Sequence, residues 1–118
     1  MTLSINAKNY NADSFQKDSV GYSGPNHTVS TKDYAKLGRV APKKTATFSG
    51  VGKTQAKLTR TLTLTGALTP AWDMIGDVSL NVPVGAAGAD VDTFLNDLGT
   101  FVASATFKSH VKSQLVSF

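Results

Sequence analysis

Alternation of apolar and polar residues with a period of two, carried largely by threonine, constrains this chain more than anything else in it. From Lys57 to Thr65, Lys57, Thr59, Thr61 and Thr63 fall on one side and Leu58, Arg60, Leu62 and Leu64 on the other. Such a run predicts a β-strand with one face buried and one face wet. The segment Met74–Val84 repeats the pattern, with Val78, Leu80 and Val82 opposite Asp77, Ser79 and Asn81, and Pro83 limits its pairing. Thr and Ser together number 25 of 118 residues, and β-branched Thr suits a strand that keeps one side in water.

Other stretches are read the same way. Residues 43 to 49 predict a strand with Lys43, Thr45, Thr47 and Ser49 on one face and Ala46 and Phe48 on the other, followed by a hairpin turn at Gly50-Val51-Gly52. Residues 33 to 40 predict a less regular strand, Ala35 and Leu37 lying opposite Tyr34 and Lys36, with Pro42 at its end. Leu3, Ile5 and Ala7 suggest a short first strand, and Phe15 and Val20 mark a second. The stretch from Asn9 to Asn26 reads as the most loop-like part, and Gly66 to Pro70 as a turn.

After Gly85 to Gly88 the period changes. Val91, Phe94, Leu95, Leu98, Phe101, Val102 and Ala105 recur at steps of three and four, which predicts a helix of about 15 residues, roughly 22 Å long. Asp90 or Asp92 suits its N-terminal cap, and Gly99 inside it suggests close packing or a kink. A second helical stretch is expected from Ser104 or Phe107 to Gln114. The fold class is therefore α+β: antiparallel strands, then C-terminal helices. One such helix is too little to cover a wide sheet, so an intimate homodimer is expected. The chain is one domain, with residues 1–31 as an N-terminal hairpin and loop, 32–84 as the main sheet and 89–116 as the helices.

Charge narrows the function. The net charge is +4, yet residues 32 to 60 hold eight basic groups against Asp33 alone, while residues 61 to 118 are net acidic. A polyanion would meet the chain in that basic stretch; a sheet face kept soluble by Lys is the other explanation. The absence of Cys removes disulfides and thiolate chemistry, and two distant His residues leave little for a metal site. No cofactor is implied. Gly50-Val51-Gly52-Lys53-Thr54 resembles the end of a phosphate-binding loop, but Thr47 stands where its first Gly belongs and a strand follows it. Asp90 and Asp92 do not face each other on a helix. Asp73 and Asp77 lack a partnered Glu or His, and no Gly-x-Ser-x-Gly elbow exists, so an enzyme is not expected. Neither a signal peptide nor a membrane span is read from the sequence, and no membrane or small-molecule partner is expected.

The hydroxyl-and-lysine face is the best functional candidate: Thr and Ser donate and accept, Asn addresses a base edge, and Lys holds phosphate. Few aromatics could stack there; Tyr34, Tyr22 and Tyr10 are the candidates. Residue chemistry alone leaves RNA binding and an inert wet face both open.

The order of features resembles the coat proteins of single-stranded RNA bacteriophages, levivirus-like in type. The segments that carry the likeness are Pro42-Lys43-Lys44, Lys57 to Thr65, Thr69-Pro70-Ala71-Trp72, Met74 to Asn81, Val82-Pro83-Val84-Gly85 and the helix from Asp90 with Phe94-Leu95 and Phe101-Val102. The resemblance implies an N-terminal hairpin outside a five-stranded antiparallel sheet, with two helices interlocking in a dimer of ten strands. It implies a self-assembling icosahedral capsid around genomic RNA, assembled in the bacterial cytoplasm, and an inward face that binds an RNA hairpin as translational repressor. The matching face is Lys43, Thr45, Thr47, Ser49, Lys57, Thr59, Thr61, Asp77, Ser79 and Asn81, with Lys44 a further phosphate contact. Leu58, Leu62, Val78, Leu80, Phe94, Leu98 and Phe101 would hold core and dimer together, and Gly66, Thr69, Pro70 and Trp72 would form the loop between dimers. The alternative is a small nucleic-acid-binding homodimer that forms no shell.

Overall fold

The computed structural model describes residues 1–117, which divide into two compact units, Met1–Val84 and Gly85 onward. The first is a six-stranded sheet whose order in space is its order in sequence, every pair antiparallel: β1 (Thr2–Ile5), β2 (Lys8–Gln16), β3 (Ser19–Ser23), β4 (Asp33–Val40), β5 (Val51–Thr63) and β6 (Ala71–Pro83). Asn6 and Ala7 both take positive φ, 50° and 62°, the left-handed pair that a two-residue hairpin turn needs between β1 and β2.

Two expectations are corrected by strand pairing. Residues 9 to 23, expected as mostly loop, form β2 and β3. Their alternation is hidden because the register shifts between Ala12 and Ser14, so Asp13 is an extra residue in the ladder. The first hairpin is thus hydrogen-bonded into one sheet of six, where an outside hairpin and a five-stranded sheet were expected.

Residues 43 to 49, expected as a strand, are loop. The whole of β4 is already paired with β5, from Asp33 opposite Arg60 to Val40 opposite Lys53, leaving these residues no free edge on the strands that flank them in sequence. Thr45 closes the loop on itself: its amide donates to the Phe48 carbonyl at 2.8 Å, and the Phe48 amide donates to the Thr45 hydroxyl at 3.1 Å. Val51 and Gly52, expected in a turn, open β5 instead, and Gly50 before them takes φ 99°, where an added Cβ would lie 2.7 Å from the Lys43 carbonyl oxygen. Trp72, expected in the loop between strands, lies inside β6 opposite Leu62.

The buried core sits on one face, towards the N-terminal strands. Tyr10, Tyr22 and Ala35 are buried, with Leu3, Ile5, Ala12, Val20 and Leu58 packed against them. Asp33 is buried among them and fully partnered. It accepts from the Tyr10 hydroxyl at 2.7 Å and from the Asn26 amide at 3.3 Å, and lies 3.5 Å from the Arg60 guanidinium. Burial alone would raise the Asp33 pKa; the Tyr10 hydroxyl, the Asn26 amide and Arg60 outweigh it and hold the carboxyl below the usual range. Tyr10 is pushed up, by burial first and by Asp33 second. Leu62, Trp72, Met74 and Val78 occupy the same face further along and are exposed, so expected core residues Leu62 and Val78 are not core within one chain, and Leu58 and Leu80 are half-buried.

The second unit holds α1 (Gly88–Val102) and α2 (Ala105–Ser113). The apolar stripe of α1 runs as expected, but none of its residues is buried: Phe94 and Phe101 are exposed and Leu98 half-buried. Ala87 is the N-cap and no side chain caps it; Asp90 lies in the first turn, where its charge suits the helix dipole. Gly99 makes no close approach, since a Cβ there would meet nothing within 4 Å. Ser104 caps α2, its hydroxyl accepting from the Phe107 amide at 3.2 Å, and the Phe101 and Phe107 rings meet edge-on at 5.1 Å. Among the described residues no helix is long and apolar enough to cross a membrane.

Candidate nucleic-acid interface

Residues directly opposite one another in a ladder share a face, and the register aligns polar rows across the sheet. In one row Gly21, Lys36, Lys57 and Asp77 succeed one another from β3 to β6; in the next stand Gln16, Ser19, Gly38, Gln55 and Ser79, from β2 to β6. Beyond it lie Val40, Lys53 and Asn81, and on the other side Ser23, Tyr34, Thr59 and Ile75. Six of the expected contact residues, Lys57, Thr59, Thr61, Asp77, Ser79 and Asn81, therefore share this face. Lys43, Lys44, Thr45, Thr47 and Ser49 do not belong to the ladder; they sit in the 41–50 loop, mostly exposed or fully so. Of the three tyrosines, Tyr10 and Tyr22 are buried on the opposite face, and Tyr34 alone is on the wet side, its hydroxyl 2.9 Å from that of Ser14. Glycine at position 21 makes this possible, because a Cβ there would fall on the Tyr34 hydroxyl.

The face is electrically divided. At one end Asp73 accepts from the Thr61 hydroxyl at 2.7 Å and meets Lys32 at 3.1 Å, while the Lys32 amide donates to Thr61 at 2.9 Å. The Thr61 hydroxyl and then Lys32 hold the Asp73 carboxyl below its usual range. Thr61, expected to contact RNA, already spends its donor on Asp73. Towards the other end, the Gln55 amide donates to Asp77 at 2.7 Å and the Ser19 hydroxyl to Gln16 at 3.0 Å. Among the described residues Lys36, Lys53 and Lys57 form no ion pair.

Where Gly38 interrupts the row of side chains, an open groove of about 600 Å³ forms. Lys36, Lys53, Gln55, Ser79 and Asn81 line it from the strands, and the turn from Gln16 to Ser19 supplies an end wall. Sequence reasoning missed Lys53, Gln55, Gln16 and Ser19 as site residues. Gln16 and Ser19 fall in the stretch that reads as loop-like, and Lys53 and Gln55 lie between the expected turn and the strand expected from Lys57, so no alternation marks any of them. Among the described residues no three His, Asp or other ligating side chains converge on a metal position.

No protein-family model matches the sequence, and no curated protein matches it. Solved structures do. The virus-like particle of Beihai levi-like virus 32 aligns with a TM-score of 0.82 at 18% identity, over 96% of this chain and 91% of that one. The virus-like particle of Wenzhou levi-like virus 4 gives 0.73 at 20%, over 98% and 75%. The bacteriophage EMS014 coat protein gives 0.59 at 15%, over 83% and 68%. The resemblance drawn from the order of sequence features is met at the level of the fold: this chain has the fold of levi-like virus-like-particle subunits and of a bacteriophage coat protein.

Proposed function

We propose that this chain is the capsid subunit of a single-stranded RNA bacteriophage, a structural protein with no reaction to catalyse and no cofactor. Its destination is the virion, assembled in the cytoplasm of the bacterial host. The observation that carries the proposal is the two-sided sheet: one face is mostly polar, dominated by hydroxyl, amide and lysine groups with Asp73 and Asp77 among them, while the other leaves Leu62, Trp72, Met74 and Val78 exposed. A lone subunit exposing those groups is a poor end state in water. A second copy resolves it. β6 is an edge strand of thirteen residues, ready to pair with the β6 of a partner, and the stripe of α1, with Phe94, Leu98 and Phe101, suits the apolar face of that partner.

In this homodimer the wet faces form one continuous inner surface. Lys57 holds phosphate there, joined by Lys43 and Lys44 from the 41–50 loop. Thr45, Thr47, Ser49, Thr59, Ser79 and Asn81 address bases or 2′-hydroxyls, whereas Thr61, held by Asp73 and the Lys32 amide, does not, and a hairpin bound there would act as translational repressor. Asp77 tempers affinity by repelling phosphate. The loop with Gly66, Thr69 and Pro70 meets neighbouring dimers around the symmetry axes of an icosahedral shell.

Negative-stain microscopy and size exclusion of the expressed protein test the proposal. Closed particles of uniform diameter that hold nuclease-protected RNA are expected. Dimers alone, across salt and RNA conditions, would sink it and leave a small nucleic-acid-binding homodimer as the account.

A further inference from the structure

The row through Gly38 has a composition unlike its neighbours. Gln16, Ser19, Gly38, Gln55 and Ser79 cross five strands without a single charge, whereas the adjoining rows bring Lys36 and Lys57, followed by Asp77 on β6, on one side and Lys53 on the other. Strands lie about 4.8 Å apart, so the neutral row is roughly 19 Å long; alternate residues along a strand are about 6.8 Å apart, which sets the lysine rows at that distance on either side. Over β4 and β5 the neutral floor lies between lysines on both sides, with Asp77 bounding one bank at β6, and that arrangement suits a polyanionic strand laid across the middle of the sheet. Gly38 lines the groove without a side chain to fill it, and Asp18 and Arg39, paired with each other at 3.5 Å, stand at its end.

The internal hydrogen bonds decide what chemistry the floor presents. Ser19 donates to the Gln16 side-chain oxygen, which leaves the Gln16 amide hydrogens free as donors. Gln55 donates to Asp77, which leaves the Gln55 oxygen free as an acceptor. Donor and acceptor thus stand at two points of one row, able to meet base edges or 2′-hydroxyls. An A-form duplex hides its major-groove edges in a deep, narrow groove and shows side chains only the less informative minor-groove edges, so side chains rooted in a sheet read bases best where they are unpaired. The lysines along the banks keep no carboxylate partner of their own, among the described residues, and their charge is available to phosphate.

We infer that the Gly38 row is a track for a single-stranded RNA segment running across the strands, with Lys36 and Lys53 holding its phosphates from opposite banks and Gln16 and Gln55 meeting its bases or ribose hydroxyls. The β2–β3 turn is thereby part of the RNA surface, although nothing in the resemblance assigns it there. The track rests on the proposed packaging role but is separable from it, since a shell could hold RNA through the 41–50 loop and the Thr59 row alone.

Two variants probe it. A Cβ at Gly38 would stand 3.8 Å from the Ser19 Cβ and 3.9 Å from the Asp18 carbonyl oxygen, ordinary contacts, so Gly38→Thr fills the groove without straining the strand. Lys36→Ala combined with Lys53→Ala (K36A and K53A) removes both banks. A fluorescent uridine decamer is titrated into the full chain below its assembly concentration, at several salt concentrations, and particles of each variant are assayed for RNA. The double variant is expected to lower the slope of log affinity against log salt by about 1.4, two single-strand phosphate contacts at about 0.7 each. Gly38→Thr is expected to weaken binding about tenfold, the size of one lost base contact, with the slope kept. An unchanged slope in the double variant, or an unchanged affinity in Gly38→Thr, overturns the track. If RNA is then still found in the particles, the packaging role stands without it; particles that form empty in the parent chain overturn packaging as well.

Discussion

The Arg60 guanidinium donates to the Tyr10 hydroxyl at 2.8 Å, joining β5 to β2 across fifty residues of chain, and Asp33 of β4 accepts from that same hydroxyl at 2.7 Å. Three strands that are not all neighbours are thus pinned by one charged network on the otherwise apolar face. Asp33 is fully enclosed at 4% exposure, whereas the Arg60 side chain keeps 38%, so solvent screens one end of the pair and not the other.

Asp33→Asn should therefore destabilise the sheet by about 2 kcal/mol, below the 3 to 5 typical of a fully buried pair because Arg60 can turn to water. In urea unfolding this appears as a midpoint lowered by about 1 M. An unchanged midpoint would show that the network orients strands without stabilising them.

The same residue sets the acid limit. Its pKa is lowered on folding, so its contribution is fully present above the unfolded carboxylate value and is lost as pH falls through the lower, folded one. Parent protein should lose stability steeply below about pH 4, and Asp33→Asn should show a shallower loss over that window. Equal slopes in thermal melts between pH 5 and pH 2 would assign acid sensitivity to other carboxylates. Tyr10 acts in the opposite sense: its raised pKa favours the folded state until pH rises through the folded value, above the ordinary tyrosine range.

Trp72 is the only tryptophan and is 68% exposed in the single chain. If a second copy covers the apolar face, its emission should be blue-shifted in assembled protein and move red on dilution as dimers part. Trp72→Ala should leave the secondary structure intact by circular dichroism while impairing assembly, truncation of a covered aromatic costing about 3 to 5 kcal/mol. Emission at solvent-exposed wavelengths in intact particles would remove Trp72 from the interface.

Lys57→Ala should lower the salt slope of RNA binding by about 0.7, the weight of one single-strand phosphate contact, and Thr59→Ala should leave that slope unchanged. Filter binding over a salt series reads both. A Lys57→Ala slope equal to the parent's would mean that its ammonium stays hydrated and contacts no phosphate.

What the chain determined locally was the periodicity of its clearest elements. The two-residue alternation of residues 57–65 and 74–84 and the three-and-four stripe from Val91 to Ala105 are properties of neighbouring side chains; each marks a true element, β5, β6 and α1, although the bounds of those elements, Val51–Thr63, Ala71–Pro83 and Gly88–Val102, differ from the pattern's. The shared face of Lys57, Thr59, Ser79 and Asn81 was legible for the same reason.

Pairing was decided only in three dimensions. Residues 43 to 49 alternate as well as some true strands, yet they are loop because the whole of β4 is taken by its ladder with β5; the polar run of β2, broken by its bulge, is strand because β1 and β3 supply edges on both sides. Strand formation is a competition for partners distant in sequence, which no local window contains. Register then fixed which residues became neighbours, setting Lys36 beside Lys57 and Gly38 beside Gln55, and so opened the groove. The hydroxyl-and-lysine face was written in the sequence; its one concave place depends on backbone hydrogen bonds between segments far apart in the chain.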